Sequence, residues 1–364
     1  MNSKDLRPKI KKVLINEVLR YIVALLGVLI IGAVLIYFQG GSPMESAIAI
    51  IDGAFGGWTK LGNTIRWISP CILTGIAATV AFKTGIWNMG IGGQLYCGAF
   101  AATMIALYAD LPPIIFPFVC ILVGGIFGML FAAIPAFLRW LLDINEMIST
   151  LLLNYVASLL TEYLTKVVKG ISAGNNSKAM ATPLIKDAAK LGKLVPKTNA
   201  NTGIFIAIFI LFAVIFLFKY TVLGYEMRQV GANINFARVG GVKTTRIYIF
   251  IFLLSGFISG ICGAIEVLGV YSKFTPNFAS NIGWDGIMIA NIAGCNPLLT
   301  GIVAILWGAL KSGALHMERI TATNRLTIEL MQSIFVMFVT INYFSVYANI
   351  SKHRKAMPKE VDYA

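Results

Sequence analysis

The chain has 364 residues, of which 57% are hydrophobic, 12% aromatic and 13% charged, with a formal net charge of +14. Globular domains carry roughly 25% charged residues, and a soluble chain of this length would fold as two or three domains whose cores cannot bury apolar runs this long. A soluble enzyme of ordinary composition is therefore excluded. The basic excess carries no nucleic-acid motif, and several of its clusters flank apolar runs, where they orient a chain in a membrane; no nucleic-acid partner is expected.

Lys4, Arg7, Lys9, Lys11 and Lys12 precede a long apolar run that lacks an A-x-A cleavage site, which reads as an uncleaved first span. Cutting the sequence at charges, Pro/Gly clusters and Asn-rich turns leaves ten candidate spans: 20–38, 65–82, 91–108, 114–138, 147–165, 202–219, 247–270, 281–294, 297–316 and 327–349. Each is near the roughly 20 residues that cross a ~30 Å hydrocarbon layer. The exception is 281–294, which is short and reads as broken or re-entrant. The expected fold is thus all-α, a polytopic membrane protein of about ten transmembrane helices with broken or re-entrant segments. A basic stretch at 1–19 and a basic tail at 350–364, with Lys352, Arg354, Lys355 and Lys359, flank the transmembrane domain at 20–349. An even span count puts both termini on one side, expected to be the cytoplasm.

Between the second and third spans lies Gly85-Ile-Trp-Asn-Met-Gly-Ile-Gly-Gly-Gln94, whose four glycines and two amides break a uniform helix. Backbone groups freed there need protein or cavity water as partners. Asn88 and Gln94 are candidates to hydrogen-bond a hydroxylated solute and Trp87 to stack on its ring; a tight inter-helix turn with Trp87 as interfacial anchor is the other reading. Gly124-x-x-x-Gly128 and Gly256-x-x-x-Gly260 read as helix-packing motifs. In the span opened by Asn145, the residues Glu146, Ser149, Thr150 and Asn154 fall within about 140° of arc at 100° per residue, a polar stripe that must face inward. Interhelical hydrogen bonding is favoured for Ser149 and Thr150, whereas Glu146 and Asn154 are equally candidates for lining a solute path. Glu329, Gln332, Ser333 and Thr340 share a face of the last span in the same way.

The segment 166–200 carries seven lysines against Asp187. Span parity places it outside, as an exported basic surface, unless a span is miscounted. Parity puts 220–246 inside, where Arg228, Arg238, Lys243 and Arg246 follow the positive-inside rule. Asn281-Ile-Gly-Trp-Asp-Gly286 echoes Gly85-Ile-Trp-Asn-Met-Gly90, one in each half, as paired interruptions do in internally duplicated transporters. There is no P-loop, and neither His316 nor His353 sits in a ligand array or beside a nucleophile. The five cysteines, Cys71, Cys97, Cys120, Cys262 and Cys295, form no C-x-x-C pair and read as packing residues. No catalysis, metal or bound cofactor is expected of this chain.

The central segment from Gly224 to Val242 contains a short helix candidate at 233–239 bounded by Gly231 and by Gly240-Gly241. It resembles the coupling loop of permease subunits of bacterial ABC importers of the ribose and nucleoside type, linked to basic membrane lipoproteins. The family's G-x-N-x-x-A-A-R/K-x-x-G pattern maps onto Gly231, Asn233, Phe236, Ala237, Arg238 and Gly241, with Phe236 in place of a small residue. The 85–94 block is similar to its G-[LI]-[FW]-N-[IM]-G-x-x-G-Q motif and Asn145–Asn154 to its N-E-[VM]-I-[SA]-T-L-[ML]-L-N motif; with Gly283-Trp284-Asp285-Gly286 the resemblance covers residues 70–310 in order. It implies a type II ABC importer-like permease in the bacterial plasma membrane, pairing with itself or a close relative. Separate ATPase chains would bind ATP and Mg and dock at the coupling residues, and an extracytoplasmic binding protein would deliver a nucleoside or simple sugar. The implied path residues are Trp87, Asn88, Gln94, Glu146, Asn154, Trp284 and Asp285. A branched-chain amino-acid permease of the same superfamily and an ion-coupled secondary transporter are the alternatives.

Overall fold

The computed structural model describes residues 26–172, 180–279, 281–321 and 323–340. The chain divides into two compact units, Ala49–His316 and a second composed of the two chain ends, up to Ile48 and from Met317.

In the unit of the two ends, α1 (Leu26–Phe38) breaks at a bend of 111° into α2 (Pro43–Phe55). The break follows from Gly40, at φ 77, and from Pro43, whose missing N–H suits a first helical position. Gln39 Nε2 donates to Thr327 Oγ1 at 2.8 Å and the Ser46 and Thr323 hydroxyls pair at 3.1 Å, tying the bend to α13 (Arg325–Thr340).

The larger unit holds α3 (Trp58–Phe82), α4 (Ile91–Tyr108), α5 (Phe116–Leu142), α6 (Glu146–Ser172), α7 (Gly203–Tyr220), α8 (Val222–Ala232), α9 (Ile234–Val239), α10 (Thr244–Glu266), α11 (Ile282–Ile292) and most of α12 (Pro297–Ile320). Helix α10 is central, packed on α5, α4 and α3, and extends by a π turn, Val267–Tyr271. Its seam with α4 and α5 is built from Gly98, Gly124, Gly128, Gly256 and Gly260, where an added Cβ would collide with the backbone or a small side chain of the facing helix. The two GxxxG motifs thus face each other, as small-residue packing requires.

Among the described residues, seven helices are long and apolar enough to cross a membrane, and eight if the bent pair counts as one span. Ten were expected, and the shortfall has physical reasons. The first span, expected over 20–38, is described only from Leu26 and turns at residue 39. Helix α11, with 11 residues, is only about 16 Å long at ~1.5 Å per residue, a half-crossing. Residues 341–349 of the last expected span lie outside the described residues, which leaves 16 in α13. Helix α3 begins well before the expected residue 65, because Lys60 and the Gly62-Asn63 pair, where the sequence suggests a boundary, lie within the helix.

Residues 180–202 form a cap with a short 3₁₀ turn, Asp187–Ala189. Its backbone N–H groups reach the far end of α10: Thr182 N to Phe274 O at 2.9 Å, Ile185 N to Ser272 O at 3.0 Å and Leu191 N to Leu268 O at 3.1 Å. At the opposite end, where α3 finishes, Gly231 of α8 lies against the Lys83 carbonyl so closely that any Cβ would strike backbone. The 166–200 and 220–246 segments therefore meet opposite ends of this unit, although residues 173–179 lie outside the described residues.

Candidate functional site

Two helix starts meet inside the larger unit. After α3 the chain turns at Gly85 (φ 76), runs irregularly through Met89 and re-enters helix at Ile91. In the second half the chain leaves the π turn at Ser272 (φ 54), returns alongside α4 and re-enters helix at Ile282. The return is lined by aromatic pairs, Phe274 on Phe100 at 5.4 Å and Phe278 on Tyr96 at 5.5 Å, and the Tyr96 hydroxyl accepts from Ala279 N at 3.3 Å. A Cβ on Gly283 would stand 2.7 Å from Gly92 N, so the first turns of α4 and α11 touch backbone to backbone. Further along α11, Gly286 meets Thr74, and Ile289 meets Gly75, both midway along α3. The echo in the sequence thus corresponds to two broken helices that begin against each other, with their positive dipole ends in the interior.

The first break is closed by neutral hydrogen bonds. Asn88 Nδ2 donates to Gln94 Oε1 at 3.1 Å and to Ser255 Oγ at 2.9 Å, while Asn88 Oδ1 accepts from Gln94 Nε2 and Gly90 N, each at 3.0 Å. Asn154 reaches across from α6, accepting from Gly93 N at 2.7 Å and donating to Met89 O at 2.8 Å, and Thr150 Oγ1 accepts from Met89 N at 3.1 Å. Asn88, Gln94 and Thr150 are buried, their polar atoms turned to protein partners. Trp87 is half-exposed and stacks on Phe82 with ring centroids 4.8 Å apart. Glu146 faces Arg139 of α5 at 3.6 Å rather than the break.

The second break is anchored by charge. Asp285, in the first turn of α11, is buried and accepts from Trp307 Nε1 at 3.1 Å and from Lys311 Nζ of α12. Trp284 beside it is 43% exposed. Lys311 Nζ lies 5.1 Å from the Trp67 ring centroid, and Arg66 stacks on the same ring at 3.7 Å. Arg66 Nη2 also donates to Glu266 Oε2 of α10 at 2.8 Å and lies 3.5 Å from the Tyr271 hydroxyl. Four charges, two of each sign, therefore cluster where α3, α10, α11 and α12 meet. Sequence reasoning found only Asp285. Arg66, Glu266 and Lys311 each lie inside an apolar span, and an ionisable residue there is itself a signal of function or of a buried partner.

At the end where α3 finishes, α8 and α9 are built by local capping. Thr221 Oγ1 accepts from Gly224 N at 3.0 Å, and Asn233 Oδ1 accepts from Asn235 N and Phe236 N, both at 3.0 Å. Gly241 (φ 85) follows Gly240 after the last turn of α9. Ala237 points into the unit, whereas Ile234, Phe236, Arg238 and Val239 point out; Val239 is 89% exposed and Phe236 67%. Phe236, the departure from the expected pattern, therefore enlarges an outward apolar face without disturbing the packing beneath.

The family model described as "Branched-chain amino acid transport system / permease component" matches residues 60–343. Among curated proteins, the chain is 28% identical to the guanosine ABC transporter permease protein NupP of Bacillus subtilis, over 90% of this chain and 94% of the relative. It is 28% identical to the nucleoside ABC transporter permease protein NupB of Lactococcus lactis, over 82% and 84%. It is also 27% identical to the glucose ABC transporter permease protein TsgB13 of Haloferax volcanii, over 90% and 88%. No solved structure matches the chain. With seven apolar helices of crossing length among the described residues, two helix starts that meet in the interior and a family match over most of its residues, the chain belongs to the permease components of ABC transport systems, as a multi-pass membrane subunit that works with separate ATPase and solute-binding components.

Proposed function

We propose that the chain forms, with a second copy or a close relative, the import path for a nucleoside or simple sugar in a bacterial plasma membrane, with both termini cytoplasmic. ATP and Mg bind to partner ATPase chains, and this chain holds no cofactor. The observation that carries the reading is the α8–α9 element: a short capped helix, rooted through Gly231 and Ala237, that presents Ile234, Phe236, Arg238 and Val239 outward. Its backbone contact with Lys83 and Thr84 at the end of α3 ties it to the first break, so a push on α9 is passed to the chain that leads into α4. Rocking of the two permease halves then alternates access to a weak central site. That site lies where the α4 and α11 starts meet. Trp87 and Trp284 offer open ring faces to a base or sugar there, while Asn88, Gln94, Asn154 and Asp285 hold the two starts in place.

The nucleoside-or-sugar reading is supported by the relatives named for guanosine, nucleosides and glucose. The 180–202 cap faces outside in this reading and offers Lys186, Lys190, Lys193 and Lys197 to the binding protein. Docking through exposed charges of this kind weakens with salt, because the screening length is ~8 Å at physiological ionic strength. Ser177, a natural labelling position, lies outside the described residues; Lys197→Cys serves instead and should react with an impermeant thiol reagent from outside. Labelling only after permeabilisation refutes the sidedness.

The decisive experiment replaces Arg238 with Glu in the assembled transporter. Solute-stimulated ATP hydrolysis should vanish while the permease remains inserted; unchanged stimulation refutes the coupling role. Uptake of guanosine, glucose and leucine by the wild-type complex then assigns the solute class, and uptake of leucine alone refutes the nucleoside-or-sugar reading.

A further inference from the structure

The charged cluster contains unmet hydrogen-bonding capacity. Arg66 Nη1 and Ser69 Oγ are buried with no hydrogen-bond partner among the described residues, although Arg66 Nη2 is paired with Glu266. The two residues are three apart on α3 and so share a face. Between them and the next turn lies Pro70, inside the helix, which has no N–H to give the Arg66 carbonyl. One turn of α3 therefore combines a guanidinium nitrogen with free N–H groups, a hydroxyl that both donates and accepts, and a carbonyl released from the helical ladder. Around them stand Trp67, with Arg66 stacked on its ring, and Tyr271.

The position is as informative as the chemistry. Gly62, one turn before Arg66, lies directly against Thr198 and Val195 of the 180–202 cap, and Asn201 of the cap meets Gly269 in the π turn. The cluster thus sits one turn beneath the cap, at the end of the unit opposite α8 and α9. An unpaired buried guanidinium nitrogen is costly, and its cost is relieved by a ligand that brings acceptors of its own. A carboxylate or phosphate would add a third negative charge to a cluster that is already neutral. A vicinal diol adds none: its two hydroxyls accept from the guanidinium, pair with the serine and donate to the freed carbonyl, with the ring edge against an aromatic face.

We propose that Arg66 Nη1, Ser69 Oγ and the Arg66 carbonyl form a subsite for the vicinal diol of a ribose or hexose, reached when α3 and α10 part beneath the cap. The subsite rests on the nucleoside-or-sugar reading and is separate from the meeting point of α4 and α11. Its residues set selectivity for hydroxylated over deoxy solutes within the permease itself, after the binding protein has released its load.

The test uses the complete transporter, with ATPase and binding protein, in proteoliposomes at saturating binding protein. It measures uptake of guanosine against 2′,3′-dideoxyguanosine, and of glucose against a deoxy analogue. Ser69→Ala removes one hydroxyl and leaves every ion pair, while Arg66→Lys keeps the positive charge for Glu266 and loses the forked donors. In each variant the ratio of hydroxylated to deoxy uptake should fall about tenfold, the size expected when a solute hydroxyl loses a buried partner. Uptake of the deoxy solute should stay unchanged. Equal slowing of both solutes, or an unchanged ratio as expected if only water meets these groups, overturns the subsite while leaving the importer reading intact. A wild-type complex that carries neither guanosine nor glucose refutes that reading and the subsite with it.

Discussion

The two helix breaks reach the same geometry by different chemistry. At 85–94 a ring of amides and hydroxyls, Asn88, Gln94, Ser255, Asn154 and Thr150, satisfies the irregular backbone with neutral bonds between 2.7 and 3.1 Å. At 272–285 the chain is held instead by edge-to-face aromatic pairs along its return and by the Asp285 pair with Lys311 and Trp307 at its end. A neutral network can be lost piecemeal, one hydrogen bond at a time. A buried ion pair fails as a unit, because removing either partner strands a charge where water cannot reach it. The first break is therefore the tolerant half of the pair and the second the brittle one.

That contrast is broken most strongly by Lys311→Ala. It takes the Lys311 ammonium away from buried Asp285 and should cost about 3–5 kcal/mol, read as a large drop in the thermal midpoint of the purified permease; replacing Asp285 and Lys311 together with Asn and Met should recover much of it. Next comes Asn88→Ala, which strips partners from Gln94, Ser255 and Gly90 N at once. Its expected cost is about 1–3 kcal/mol, with slower transport and unchanged affinity at the binding protein. Gly283→Ala should cost a similar or smaller amount, about 1–3 kcal/mol for overpacking, because its methyl meets Gly92 N at 2.7 Å; hydrogen exchange should show the first turns of α4 and α11 loosened together. Trp87→Ala should leave stability nearly intact and slow nucleosides more than ribose, since stacking on a base contributes on the order of 1–3 kcal/mol. Equal slowing of both solutes would return Trp87 to a packing role beside Phe82.

The smallest effect concerns acid. Lys190 beside Asp187 holds its carboxyl below the ordinary carboxylate value. A depressed carboxylate contributes stability above its unfolded pKa and loses it as pH falls through the folded one. The contribution of Asp187 to the thermal midpoint should accordingly stay constant from neutrality down to about pH 5 and be lost only at more acid values. Because both groups lie on the surface, Asp187→Asn should leave even that acid limb almost unaltered.

Much of this architecture is legible in the sequence because membranes punish exceptions. Long apolar runs located α4, α5, α7, α10 and α12 within a few residues, and the glycine-amide cluster at 85–94 located the first break. Of the bounds expected for the 233–239 helix, Gly240 is its C-cap, whereas Gly231 lies inside α8 and Asn233 supplies the N-cap through its side chain. What the sequence does not show is which charges meet, since the expected spans 65–82, 247–270 and 297–316 already contain Arg66, Glu266 and Lys311. Arg66, Glu266 and Lys311 are all inside helices, and each finds its partner or its aromatic face on another helix. Pairing across 200 residues, as between Arg66 and Glu266, leaves no local periodicity to detect. Helix α2 leaves no long apolar run in the sequence, since Glu45 and Asp52 interrupt its otherwise apolar stretch.

The cap over the larger unit is joined to the π turn and the returning chain by three backbone hydrogen bonds, at Leu268, Ser272 and Phe274. Any displacement of the cap must therefore either carry the returning chain with it or break these three bonds, each of which contributes about 0.5–1.5 kcal/mol. Lys186 and Lys190 stand on the same stretch of cap as Thr182 and Leu191, whose backbone bonds hold Phe274 and Leu268. The cap is thus fastened to the one stretch of backbone that leads from the end of α10 toward the start of α11.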